Sequence, residues 1–266
     1  MKLTVIGSTG SMSGPRSTAS CYLVQARGED PATGEERTWS VVLDLGPGSF
    51  GQLWRYLDPR DIDALLISHG HADHIADIIS FYVFLKWHPE GPQNGPIMGG
   101  PLEVLDRVAQ IDGYADAAEV SGIFAWQAVE EGSTFEVGPM RITAYPGEHP
   151  VESYGYRIEG PSDQDGCTET TIVAYTGDTD LCDGMAAMAQ NAHVLLAECG
   201  FTDEIVTRGI HLSGSRAGSL AYEAGVEHLV LTHIQPWTDP AIPAAEARTC
   251  FSGPVSVAES GNCWTL

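Results

Sequence analysis

Apolar positions in this chain come as short continuous runs and as runs spaced three and four apart, which predicts strands and helices in turn. Lys2 to Ile6, Ser20 to Ala26 and Trp39 to Gly46 read as strands. The stretch from Ser8 to Ala19 is a Gly/Ser/Pro loop, and Arg27 to Arg37 has the turn residues of a hairpin tip. Asp63 to Ser68 is a further strand. Ile75 to Trp87 reads as a helix apolar on most faces, and Leu102 to Ala118 as another, from the spacing of Leu102, Leu105, Val108 and Ala109. Between them, Gly91 to Pro101 is expected as a Pro/Gly loop, a rim or lid next to His88.

From about Phe124 the pattern starts again. Phe135 to Val137, Met140 to Tyr145, Val194 to Glu198, His228 to Thr232 and Val255 to Ala258 read as strands. Ser153 to Ile158 and Thr171 to Tyr175 form a hairpin around Gly160 to Thr170, and helices are expected from about Gly214 to Ala224 and from Ala241 to Phe251. No linker divides the chain. The expectation is one α/β domain over residues 1–266, made of two similar halves, about 1–123 and 124–266, that face each other as layers.

The strand ends carry the chemistry. Leu65-Leu66-Ile67-Ser68 runs into His69-Gly70-His71-Ala72-Asp73-His74, three histidines and an aspartate in one short turn. Imidazole nitrogens and carboxylate oxygens ligate a divalent ion at roughly 2.0–2.2 Å. His69 and His71, two apart, suit one ion, while Asp73 and His74, further round the turn, favour a second beside it. Later strands end in His149, Asp178, Glu198 and His233. Asp44, at the end of its own strand, reads either as an acceptor that orients the histidine loop or as a turn cap.

Bulk composition narrows the partners. With 36 acidic and 13 basic side chains the net charge is −23, and proteins that grip long polyanions carry a basic surface instead. A large nucleic acid is therefore not expected as substrate, whereas a small anion held by metal ions is. The six cysteines are scattered, with no Cys-x-x-Cys pair, which favours a reducing cytoplasm. No signal peptide and no membrane span are expected; the best apolar run, Ile75 to Leu85, is broken by Asp77.

His69-x-His71-x-Asp73-His74, then His149, then Thr-Gly-Asp178-Thr, then Leu-Thr-His233 resembles the metallo-β-lactamase superfamily in order and spacing, over nearly the whole chain. The resemblance implies a four-layer αββα sandwich with two metal ions at one edge. It places His69, His71 and His149 on one ion, Asp73, His74 and His233 on the other, and Asp178 between them. Zinc is the usual metal of that family, with manganese or iron as alternatives. His149 followed by Ser153-Tyr154-Gly155, and Glu198 followed by His211-Leu212-Ser213, resemble the phosphodiesterase branch that includes ribonuclease Z. By that likeness Ser153 and Tyr154 lie at the substrate. The stretch between His149 and Asp178 is short and holds a single hairpin, which leaves no room for the long arm with which bacterial ribonuclease Z clasps tRNA. Further stretches, among them His211-Leu212-Ser213-Gly214 and Leu231-Thr232-His233-Ile234-x-Pro236-Trp237, are similar to actinobacterial members described as cyclic nucleotide phosphodiesterases. Asp77 departs from the family, which commonly has glycine there.

Phosphodiesters resist attack because their anionic oxygens repel hydroxide, and two cations relieve that repulsion and activate water. Asp73 is placed to orient that water and accept its proton. His211, oriented by Glu198, is the expected acid for the leaving sugar oxygen. The leading expectation is hydrolysis of 3′,5′-cyclic nucleotides to monophosphates. Its rivals are tRNA 3′ processing, thioester or lactone hydrolysis, and a non-catalytic metal-bound sensor. Trp237 either walls a base pocket or packs the last helix. His88, His193 and His228 fit ordinary surface or packing roles, and the apolar face of Ile78 to Trp87 could serve a homodimer.

Overall fold

The computed structural model describes residues 1–164 and 169–266. Six strands form most of the first sheet: β1 (Lys2–Gly7), β2 (Cys21–Glu29), β3 (Glu36–Leu43), β4 (Ala64–Leu66), β5 (Ile97–Gly100) and β6 (Ala125–Ala128). The second sheet holds β7 (Thr134–Val137), β8 (Met140–Pro146), β9 (Tyr154–Pro161), β10 (Thr170–Tyr175), β11 (Val194–Glu198), β12 (His228–Thr232) and β13 (Val255–Val257). A last strand, β14 (Cys263–Thr265), crosses back to pair antiparallel with β1. The chain thus changes sheet between β6 and β7, not at Phe124, and its C-terminal end completes the first sheet.

The pairing positions the site. β3, β4 and β5 run parallel, as do β10, β11, β12 and β13. Parallel neighbours end on the same edge, so Leu43 meets Leu66, and Glu198 meets Thr232. The loops that follow therefore gather at one rim of the two sheets.

Side-chain alternation fills three apolar layers. In β4, Ala64 and Leu66 face the core between the sheets with Tyr22, Tyr156 and Tyr175, whereas Leu65 faces the outer layer. That outer layer is covered by α1 (Ser49–Leu53), α2 (Ala72–Ile75), α3 (Ile78–Lys86), α4 (Val104–Ile111) and α5 (Ala118–Ser121). The second sheet is covered by α6 (Asp183–Ala189), α7 (Gly214–Glu223) and α8 (Ala241–Cys250). The result is an α/β sandwich with helices on both outer faces. No described helix is long and apolar enough to cross a membrane.

Several local expectations change. The supposed loop from Gly91 to Pro101 contains β5, whose glycines hide it from a pattern search. A Cβ on Gly99 would sit 2.7 Å from the Phe135 ring, so packing between the sheets demands a residue that reads as a loop signal. The expected helix from Ile75 to Trp87 is divided between α2 and α3 at Asp77, and the one from Leu102 to Ala118 stops at Ile111. The hairpin of β9 and β10 is present from Tyr156↔Tyr175 to Pro161↔Thr170; its tip, residues 165–168 with Cys167, lies outside the described residues. The other five cysteines are free thiols.

Asp77 has a structural task in place of the glycine common in the family. Its Oδ2 accepts from the Phe50 amide at 2.9 Å, and its own amide donates to Leu45 O at 3.0 Å. This ties the open first turn of α1 to the start of α3. Asp77→Ala is expected to cost about 1 kcal/mol, as for a lost helix cap, read as a lower urea midpoint at unchanged slope. A midpoint equal to wild type would remove this role.

Candidate metal centre

Three histidines from two elements make the first donor set. The turn after β4 brings His69 Nε2 within 3.0 Å of His71 Nδ1, and the loop after β8 brings His149 Nε2 within 3.1 Å of the same atom. The outer atoms of two of these rings are fixed. His149 Nδ1 donates to Ile210 O at 2.8 Å, and His69 Nδ1 lies 3.0 Å from Ser68 Oγ.

A second set lies beside it. His74 Nε2 stands 3.3 Å from His233 Nε2, from Asp73 Oδ2 and from Asp178 Oδ1. His233 Nε2 is 3.1 Å from Asp73 Oδ2 and 3.3 Å from Asp178 Oδ2. Asp178 also reaches toward the first set, with Oδ2 3.7 Å from His69 Nε2. The seven residues whose sequence pattern suits metal ligands are thus brought together, with Asp178 facing both groups.

Asp44 organises this arrangement from beneath. Its fully buried carboxylate accepts from His74 Nδ1 at 2.7 Å, Ser68 Oγ at 2.8 Å, Tyr175 OH at 2.6 Å and the Ser68 amide at 2.7 Å. Asp44 thus makes both kinds of contact its sequence position suggested, to the ring of His74 and to the amide of the turn that follows β4. Asp44 and His233 both have positive φ, 57° each, a backbone conformation that costs energy in most residues and that functional sites retain. Close approach is extreme at Gly46, where a Cβ would fall 1.9 Å from Asp73 O; only glycine lets the loop after β3 support the histidine turn.

The electrostatics favour a cation here. Burial opposes charge on His74, but Asp178, Asp44 and Asp73 outweigh it and hold the imidazole pKa well above its ordinary value. Burial also opposes charge on Asp178, but His233 and His74 outweigh it and hold the carboxyl well below the usual range. His69, His71 and His149 are pushed toward the neutral form, chiefly by burial. Neutral imidazole is the form that ligates metal. Asp178 Oδ1 is buried and makes no well-formed hydrogen bond among the described residues, its His74 Nε2 neighbour standing at 3.3 Å, an arrangement that a bound cation would relieve. Converging nitrogen lone pairs and an orphaned carboxylate oxygen fit two divalent ions. Asp44→Asn, which keeps the shape but loses the charge and an acceptor, is expected to weaken metal affinity about 10–100-fold. Competition with a chelating dye reads this directly; unchanged affinity would contradict the orienting role.

His211 and Glu198 flank the donor sets. Glu198, 1% exposed, accepts from His211 Nδ1 at 2.9 Å and from the amides of Thr179, Gly200 and Leu212. The His211 ring lies 5.5 Å from that of His149 and 5.3 Å from that of His233. Burial works against its charge, but Glu198, Asp178 and Asp73 raise its pKa to about 9.

The three residues expected at the substrate differ in their surroundings. Ser153 is buried, and its hydroxyl donates to Asp178 O at 2.8 Å; it holds the aspartate loop in place of touching solvent. Tyr154 donates its hydroxyl to Glu152 and its amide to Ser68 O, joining the two loops. Trp237 is 71% exposed, and so is not packed into the last helix. His88, His193 and His228 contact a backbone amide or a serine near element ends. Sequence reasoning missed Ser68 and Tyr175, the other clasps on Asp44, and the buried Arg216–Asp180 pair beside Gly209. Only Ser68, beside the histidines, offered a local signal.

Comparison with known proteins accords with this geometry. Residues 40–234 match the model of the β-lactamase superfamily domain. An uncharacterised protein of Mycobacterium tuberculosis is 34% identical over 264 residues, covering 96% of this chain and 88% of its own. The probable metallo-hydrolase YhfI of Bacillus subtilis is 30% identical over 269 residues, covering 99% of each. The crystal structure of YhfI, a metallo-β-lactamase fold protein, superposes with a TM-score of 0.77 over 99% of this chain and 98% of that one, at 28% identity. A ribonuclease Z of Methanopyrus kandleri is 28% identical over 239 residues, 79% of this chain and 82% of its own. The chain belongs to the β-lactamase superfamily, and is a metallo-hydrolase of that fold.

Proposed function

We propose that this metallo-hydrolase cleaves small phosphodiesters, 3′,5′-cyclic nucleotides first among them, to monophosphates. The observation that carries the reading is the position of His211, held by Glu198 between the rings of His149 and His233. A proton donor at that place serves a leaving sugar oxygen.

Two divalent ions, zinc or else manganese or iron, would be held by His69, His71 and His149 and by Asp73, His74 and His233, with Asp178 shared; bound there, they supply charge neutralisation for phosphoryl oxygens and activation of water. The protein groups do the rest. Asp73 Oδ1, which makes no hydrogen bond among the described residues, orients the attacking water and accepts its proton. As the bond from phosphorus to the sugar oxygen breaks, His211 Nε2 gives its proton to that oxygen. Glu198 keeps the Nδ1 proton in place and stabilises the cationic ring before transfer.

Substrate size follows from charge and chain length. A net charge of −23 opposes the counterion release on which tRNA binding depends. The short stretch from His149 to Asp178 is taken up by β9, β10 and their connections. These points stand against tRNA 3′ processing, although a relative bears the name ribonuclease Z.

The test is a panel of cyclic AMP, cyclic GMP, a linear dinucleotide, precursor tRNA and a thioester, with metal content measured on the same sample. Highest kcat/KM on a cyclic nucleotide, abolished by a chelator and restored by zinc or manganese, is expected. Preferred cleavage of precursor tRNA or of the thioester would replace this reading.

A further inference from the structure

Arg216, on the first turn of α7, is the one arginine or lysine buried among the described residues. Its Nη1 donates to Oδ1 of Asp180, which is buried too. A buried ion pair adds little stability over an apolar pair of similar volume, because each charge gives up its water. Its use lies in what else the two side chains hold.

Asp180 joins the loops that carry the chemistry. Its amide donates to Glu148 O at 2.8 Å, next to His149, and its Oδ2 accepts from the Gly209 amide at 2.8 Å. The following carbonyl, that of Ile210, accepts from His149 Nδ1 at 2.8 Å, and the residue after it is His211. Ahead of Gly209, Asp203 to Arg208 are exposed and form no helix or strand, so the bond to Asp180 is a main anchor for this end of the loop. Arg216 adds a second tie, with Nε donating to Ser213 Oγ at 3.2 Å, two residues beyond His211.

We propose that the Arg216–Asp180 pair is a positioning device for the first donor set, pinning Gly209 so that the Ile210 carbonyl aims His149 at His69 and His71. With Nδ1 held as the donor, the His149 lone pair stays on Nε2, 3.1 Å from His71 Nδ1. The second set has other supports. His74 is held by Asp44, and the Asp178 carbonyl by Ser153 Oγ. The pair therefore acts on one ion of the two. This rests on the reading of His69, His71 and His149 as holders of one ion.

The test is a titration of metal-free protein with zinc against a chelating dye, with circular dichroism on each sample. Wild type is expected to take two equivalents. In Asp180→Ala/Arg216→Met, which removes both charges together, one equivalent should weaken about 10–100-fold, as for other groups that orient metal ligands. The other equivalent should keep its affinity, which a general loss of structure would not allow. Asp180→Glu keeps both charges but moves the carboxylate; it should show the same selective loss in weaker form, and serves if the double variant does not fold. Arg216→Lys, which keeps a charge opposite Asp180, should lie closer to wild type than either. Hydrogen exchange at the Gly209 amide, slow in the metal-free wild type and fast in the double variant, reads the link without metal. Equal zinc affinity in wild type and folded variants, or equal weakening of both equivalents, would overturn the positioning role alone. Fewer than two equivalents in wild type would overturn the reading of the centre, and this proposal with it.

Discussion

Asp178→Ala is expected to lower kcat/KM on the preferred phosphodiester by about 10³-fold or more, the several kcal/mol that a bound ion supplies to such a transition state. Asp178 is 2% exposed and stands within 3.3 Å of both His74 and His233, with His69 at 3.7 Å. Its loss leaves two groups of nitrogens with nothing anionic between them. Metal content should fall below two equivalents. The fold should survive, because Ser153 holds the main-chain oxygen of residue 178, which the substitution keeps. Circular dichroism therefore accompanies the kinetics, and Asp178→Asn provides an isosteric control. Turnover within tenfold of wild type, in a folded variant, would remove Asp178 from the centre and with it the two-ion reading.

His211→Ala should behave differently: kcat falls about 10²–10⁴-fold, the usual worth of general acid catalysis, while both metals stay bound. The distinction matters because Glu198, His211 and His233 are themselves close enough to form a third ligand group. Loss of metal in His211→Ala would make it a ligand instead of an acid. Leaving-group dependence gives an independent readout. Bis(p-nitrophenyl) phosphate releases a phenolate that needs little protonation, so its hydrolysis should suffer far less than that of a cyclic nucleotide. The pH profile has a definite sign. An acid works in its protonated form, present below its pKa, so wild-type kcat should decline as pH rises through about 9. Glu198→Gln removes the charge that supports the proton and should move this limb to lower pH. An alkaline limb unchanged in His211→Ala would assign it to another group.

Much of the centre is legible in the chain because its ligands are local. His69, His71, Asp73 and His74 occupy one turn, and a strand followed by such a turn has few other uses. Glu198 and His211 lie on neighbouring stretches of the chain, and the family pattern joined them. Elements were harder to read where tertiary packing overrides local preference. β5 is written with glycines because Phe135 presses on it, and β14 is an edge strand only because the first sheet has an open side there. The break at Asp77 follows from a hydrogen bond to Phe50, which no periodicity reveals.

The sequence by itself determined the candidate ligand types, their order and the net charge of −23, since these depend on residue identity alone. Which oxygens and nitrogens converge was decided only by the tertiary structure. Parallel pairing of β3 with β4 and of β10 with β11 and β12 carries Asp44, Asp178, Glu198 and His233 to one rim, from widely separated positions in the chain. Burial beneath that rim then fixes the rest. It gives the Ser153 hydroxyl a hydrogen bond to the Asp178 carbonyl, because a side chain's partners depend on what the fold packs around it.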